Sequence, residues 1–197
     1  MRRLKIRWVI WAAASLASTA YAHAQRVDMS GMTACTLTAW SSDPDPAGLN
    51  IRSAPQAEAS VIGRAPPPEE QDGERIAAEF SIAGSRNGWF LVRDVKYTDY
   101  GNGKGDRIVF KGPGWIFADR VRFTIYDPAV RSAPTRTAKV LATLRSKDGT
   151  SDADSAIIER VFGCSGAFAD VSVHMDGQRP TRGWVTNLCS NQVTTCP

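Results

Sequence analysis

Short runs rich in Val, Ile, Phe, Trp and Thr alternate along this chain with clusters of Gly, Pro, Asp and Asn. That punctuation marks strands separated by turns. It predicts strands over 35–40, 74–84, 89–97 and 114–123, and again over 139–144, 155–163, 169–175 and 183–188. Only the stretch 152–162 also suits a helix, and the repeat described below sets it in strand register. Residues 65–68, Ala-Pro-Pro-Pro, block a central strand, because proline has no amide hydrogen for a ladder. They are expected to form a surface loop. The fold class expected is all-β.

The pattern is written twice. Residues 51–65 read IRSAPQAEASVIGRA and residues 130–144 read VRSAPTRTAKVLATL. At a constant offset of 79 they share Arg-Ser-Ala-Pro, an Ala and a Val, with Ile51/Val130 and Ile62/Leu141 as conservative pairs. The same offset sets Trp89 against Phe168 and Val92 against Val171. Gly114-Trp115-Ile116 answers Gly183-Trp184-Val185 at offset 69, so copy one carries ten extra residues, which fit between Tyr97 and Pro113. Internal repetition of this length points to two like units, 35–126 and 127–197, after a linker at 25–34. Each is large enough for one sheet curled on itself to bury a modest core. Trp115 and Trp184 are expected at equivalent, largely buried positions.

Copy one resembles the bacterial SH3-like (SH3b) domain family. The residues that carry the resemblance are Leu49-Asn50-Ile51-Arg52-Ser53-Ala54-Pro55, Val61-Ile62-Gly63, Gly88-Trp89-Phe90-Leu91-Val92 and Gly114-Trp115-Ile116. They fall in the family's order across most of 35–121. Copy two is a degenerate match. It has Ala129 where the pattern has Asn and Ala167-Phe168 where it has Gly-Trp, losses that bear on ligand binding more than on fold. The resemblance implies two tandem small SH3-like β-barrels. It also implies a ligand face between the loop 41–50 and the hairpin 97–111. Trp40, Tyr97 and Tyr100 would line that face and Trp89 would form its floor.

The first residues bear on compartment. Arg2, Arg3, Lys5 and Arg7 precede the apolar run Trp8 to Ala22, and small residues follow at Ala22 and Ala24. This is the pattern of a cleaved signal peptide over 1–24, with Ala22 as the alternative cleavage point. The run is too short for a comfortable membrane span, so stable membrane insertion after cleavage is not expected. The expected localisation is periplasmic or secreted. Residues 1–24 hold four basic and no acidic residues, which leaves 20 of each sign in the remainder. A balanced surface gives no general pull toward nucleic acid.

An even number of cysteines in an oxidising compartment reads as disulfides. Cys189 and Cys196 are close enough to staple the C-terminal tail, which leaves Cys35 with Cys164, although four cysteines allow three pairings. A metal site is not expected, since no CxxC spacing occurs and His174 is the only histidine after residue 24. Gly163-Cys164-Ser165-Gly166 invites comparison with a cysteine nucleophile, but His174 is the sole candidate base. Residues 148–159 imitate a calcium loop without its central glycine, which is Ala153. Residues 97–111, with glycines at 101, 103 and 105, lack the Gly-Lys-Ser/Thr ending of a phosphate cradle. The expected function is therefore non-catalytic, with no cofactor. The resemblance, together with the expected compartment, implies binding of peptidoglycan or other cell-envelope peptides, or alternatively docking on an envelope protein that it regulates.

Overall fold

The computed structural model describes residues 26–193 except 102, 148, 151 and 152. The expected signal peptide, 1–24, lies outside the described residues. The first half holds β1 (Thr33–Ser41), β2 (Leu49–Arg52), β3 (Val61–Ala65), β4 (Glu69–Gln71), β5 (Glu74–Ile76), β6 (Glu79–Arg86), β7 (Trp89–Tyr97), β8 (Arg107–Phe110), β9 (Gly114–Phe117), β10 (Val121–Arg122) and β11 (Thr124–Ile125). The second holds β12 (Ala129–Arg131), β13 (Val140–Thr143), β14 (Ile157–Ser165), β15 (Phe168–His174), β16 (Thr181–Thr186) and β17 (Leu188–Cys189). The fold is all-β, with two short 3-10 turns at Ala118–Arg120 and Ala153–Ser155. The stretch 152–162 is thus strand for most of its length. Residues 66–68 form a loop, and β4 and β5 turn back on each other through Asp72 and Gly73, both at positive φ.

Both halves use one strand order. In the first, neighbours run β6-β7-β9-β2-β3, with β1 and β10 added beyond β6; in the second they run β14-β15-β16-β12-β13. The irregularities repeat too. Bulges fall between Glu79 and Ser81, Ile82 and Gly84, and Ile51 and Arg52. Their counterparts fall between Ile158 and Arg160, Val161 and Gly163, and Val130 and Arg131, each 79 residues on. A bulge bends a strand and deepens its twist, so the two sheets are bent at the same places. The Arg-Ser-Ala-Pro loops match bond for bond: Ser53 N–H donates to the Ser60 carbonyl as Ser132 N–H does to Lys139, and Ala59 to Gln56 as Ala138 to Thr135.

The glycines of the repeat mark close approaches. A Cβ on Gly114 would stand 2.2 Å from Ile51 Cγ2, and one on Gly183 would stand 2.7 Å from Val130 Cγ1. The glycine before each tryptophan therefore lets β9 cross β2, and β16 cross β12, at the shortest distance. Gly63 is needed for another reason: its missing side chain admits the Phe110 ring, 2.4 Å from where a Cβ would lie. Phe110 belongs to β8, inside the ten-residue excess of copy one. Copy two lacks that strand and carries Ala142 instead.

Strand β1 joins the halves. It pairs antiparallel with β6, and its Cys35 forms a bridge to Gly166 at the tip of the β14–β15 hairpin, with Thr36 N–H donating to Gly166 and Gly166 N–H to Ala34. Cys35 and Cys164 are bonded to each other across this seam, Cα to Cα 5.9 Å. Ser85, which the repeat aligns with Cys164, both donates to the Cys164 carbonyl (3.0 Å) and accepts from its N–H (3.1 Å). Buried side chains of both halves, among them Phe80, Ile82, Val161 and Val171, form one continuous core.

Two expectations change. The stretch 25–34 includes the start of β1 and a strap: Asp28 N–H donates to Ser53, and its carbonyl accepts from the Trp115 indole N–H at 2.8 Å. Trp115 is fully buried beneath it, whereas Trp184 is only half-buried. The two are equivalent in register, opposite Arg52 and Arg131, but unequal in burial, because the strap at Asp28 lies over Trp115. Cys189 is disulfide-bonded, and the expected Cys189–Cys196 link lies outside the described residues.

Cross-linking positions 129 residues apart removes much freedom from the unfolded chain. The double substitution Cys35→Ala/Cys164→Ala should lower stability in urea unfolding by about 2–4 kcal/mol. A loss under 1 kcal/mol would show that the seam holds without it.

Candidate functional site

Strands β6 and β7 are joined by Asn87 and Gly88, both at positive φ. Such a two-residue turn matches the twist of the strands it connects. It places Trp89 as the first residue of β7, opposite Phe117 at the end of β9. The two rings meet with centroids 5.6 Å apart at an interplanar angle of 58°. A tilted contact of this kind is favourable between aromatic quadrupoles. Phe117 is nonetheless 38% exposed and Trp89 is half-buried.

These rings wall a hollow of about 290 Å³, completed by Asp43, Leu49, Asn50, Arg52, Ala57 and Arg120. Leu49 and Ala57 extend its apolar surface. Arg52 donates through Nη1 to the Ala59 carbonyl at 2.8 Å, which fixes its guanidinium. The Arg120 carbonyl accepts the Ser42 amide at 2.9 Å, while its exposed guanidinium has no hydrogen-bond or ion-pair partner among the described residues. Asp43 is already engaged by the Asp45 amide at 3.1 Å. Asn50 Oδ1 is buried with no hydrogen-bond partner, a vacancy that costs about 1–3 kcal/mol unless something fills it. Copy two has no equivalent hollow wall: Phe168 faces Thr186, whose hydroxyl donates to the Ala167 carbonyl.

The four residues expected to line one groove are dispersed. Trp89 belongs to the hollow just described. Trp40, half-buried on β1, stands between two hollows of about 570 Å³ each, one reaching Pro44, Pro46 and Pro67, the other reaching Arg122 and Ile157. Tyr97 is 3% exposed; its hydroxyl donates to the Pro67 carbonyl and the Arg107 guanidinium lies 4.5 Å above its ring. Tyr100 turns inward and donates to the Glu79 carboxylate. None of the hollows at these residues is lined by both the loop 41–50 and the hairpin 97–111. Both tyrosines serve the fold, because the β7–β8 hairpin bends back over β4 and β5. The residues that sequence reasoning missed are Phe117 and Arg120. Neither carries a local signal: alternation along Gly-Trp-Ile-Phe would set Phe117 on the face of the fully buried Trp115.

Comparison with known proteins finds no family model, no curated protein and no solved structure that matches the chain.

The remaining constellations read differently once folded. Cys164 Sγ is bonded to Cys35, so it is no thiolate. His174 lies opposite Ile157, at the other end of β14, with Nδ1 2.8 Å from the Met175 carbonyl and Nε2 3.5 Å from Glu159. Of the calcium-like stretch, Asp148 and Asp152 lie outside the described residues, and a strand begins at Ile157 where such a loop would still be coiled. In the glycine-rich stretch, Gly101, Gly103 and Gly105 sit at positive φ around the Asp99 carboxylate, which accepts from the Gly101 and Gly105 amides.

The C-terminal tail closes on Tyr100. Glu79, 6% exposed, accepts from Tyr100, from Ser190 Oγ (3.0 Å) and from Gln192 Nε2 (3.1 Å), and the Gln192 amide also pairs with Ala77 N and O. Burial, then the hydrogen bond to Glu79, pushes the Tyr100 phenol well above its ordinary value. A phenol whose folded value is raised contributes stability that is complete below the unfolded value, about 10, and is lost as pH rises beyond it. Tyr100→Phe should therefore cost about 1–2 kcal/mol at neutral pH and lose less than the parent between pH 9 and pH 11 in urea unfolding. Equal stability of parent and variant at both pH values would sink this account.

Proposed function

We propose that this chain is a non-catalytic binding module of the bacterial cell envelope that recognises peptides, those of peptidoglycan above all. In this reading the halves 35–126 and 127–197 are tandem SH3-like barrels, the first carrying the ligand site and the second serving as a braced partner. The repeated strand order and bulges support the duplication, and the Cys35–Cys164 disulfide suits an oxidising, extracytoplasmic setting. No helix among the described residues is long and apolar enough to cross a membrane.

The observation that carries the reading is the Trp89–Phe117 hollow. An exposed aromatic pair gives a large, stiff contact face at little entropic cost. Flanking it with a carboxylate and two guanidinium groups supplies the polar contacts a peptide needs. Fold by itself does not define function, and so the argument rests on this site.

The test is co-sedimentation with purified peptidoglycan sacculi. The parent protein should sediment with them, and Trp89→Ala/Phe117→Ala should weaken binding by about 30-fold, as loss of central aromatic anchors does. Thermal unfolding of the variant should stay near that of the parent, because neither ring is fully buried. Undiminished sedimentation of the double variant would remove the hollow from consideration. Absence of sedimentation by the parent would favour docking on an envelope protein instead.

A further inference from the structure

The hollow beside Trp89 and Phe117 is apolar on its walls and cationic at its edge. Of its lining residues, Arg52 and Arg120 are basic and Asp43 alone is acidic. Asp43 already accepts the Asp45 amide, and Arg52 already donates to Ala59. Arg120, whose exposed side chain has no hydrogen-bond or ion-pair partner among the described residues, is the charge most open to a ligand. At about 290 Å³ the space is at the small end of ligand sites. It has room for the last residue or two of a chain.

We infer that this hollow captures the free carboxyl end of a peptide with a small apolar terminal residue, an assignment that rests on the peptide-binding reading above. The terminal carboxylate pairs with the Arg120 guanidinium, which can hold both oxygens at once. The terminal apolar side chain packs on Trp89 and Phe117. Net positive charge and volume both suit the end of a chain. A mid-chain segment would offer Arg120 an acidic side chain at most. Copy two has Cys189 where copy one has Arg120, and so lacks that charge.

Three probes separate the possibilities by isothermal titration calorimetry at low salt: acetyl-Lys-Ala-Ala as the free acid, the same peptide as its C-terminal amide, and acetyl-Lys-Ala-Glu as the amide. Each is made with terminal residues of L and of D configuration, since cell-wall peptides contain both. In at least one series the free acid should bind the full chain at least tenfold more tightly than its amide. The glutamyl amide should resemble the amide, which distinguishes a chain end from an acidic side chain. Arg120→Gln should abolish the preference, while Arg93→Gln, an exposed arginine outside the hollow, should preserve it. Equal affinity for acid and amide in both series overturns the inference and leaves peptide binding intact. So does failure of all three probes with a protein that still sediments with sacculi, or a preference that survives Arg120→Gln. Failure of the probes and of sedimentation together overturns the underlying reading as well.

Discussion

The contact between β6 and β14 governs this molecule. Two strands that the repeat makes equivalent lie against each other, with Ser85 hydrogen-bonded in both directions to the backbone of Cys164. Gly163 permits the approach, since a Cβ there would already stand 3.3 Å from Ser85 Oγ. The serine and the cysteine occupy the same place in their own copies and do different work. One satisfies the other's backbone, and the other anchors the disulfide to Cys35. A buried backbone N–H and C=O left unpaired at this seam would each carry a desolvation cost. The serine hydroxyl, donor and acceptor at once, settles both. With that contact made, neither half has a free inner face, and the two share one core.

The tail fastens the other side of the same seam. Strand β17 pairs with β11, and the residues after it reach Glu79 on β6. A buried carboxylate is tolerated when hydrogen bonds replace its water. Here the donors are a phenol, a hydroxyl and an amide from three positions distant in sequence. The arrangement explains why Tyr100 faces inward. It also explains why β5 stops at Ile76 and β6 starts at Glu79: the Gln192 side chain takes the backbone bonds of Ala77 between them.

The duplicated plan leaves the copies with unequal surfaces. Copy one has its tryptophan covered by the strap at Asp28, a β8 strand accommodated by Gly63, and an open aromatic pair at the end of β7 and β9. Copy two keeps the framework and lacks all three. Exposure of Trp89 and Phe117 follows from their positions at strand ends, past the reach of the neighbouring sheet. The apolar surface that burial left over lies beside the Arg120 that ion pairing left over.

The sequence by itself determined the strands, the duplication and the places where bulk is forbidden. Alternation has a period of two that packing cannot alter, and the glycines before Trp115 and Trp184 mark the places where strands cross closely. The sequence left three cysteine pairings open, and the fold selects one in which Cys35 is bonded to Cys164. The tertiary structure decided which aromatic residues are open. Tyr97 and Tyr100 look in sequence like the tips of a binding hairpin, yet Pro67, Glu79 and the tail at 190–192 draw them in. Phe117 and Arg120 carry no local mark, yet among the described residues no distant segment covers them. A side chain's exposure depends on what arrives from elsewhere in the chain, and local pattern holds no record of that.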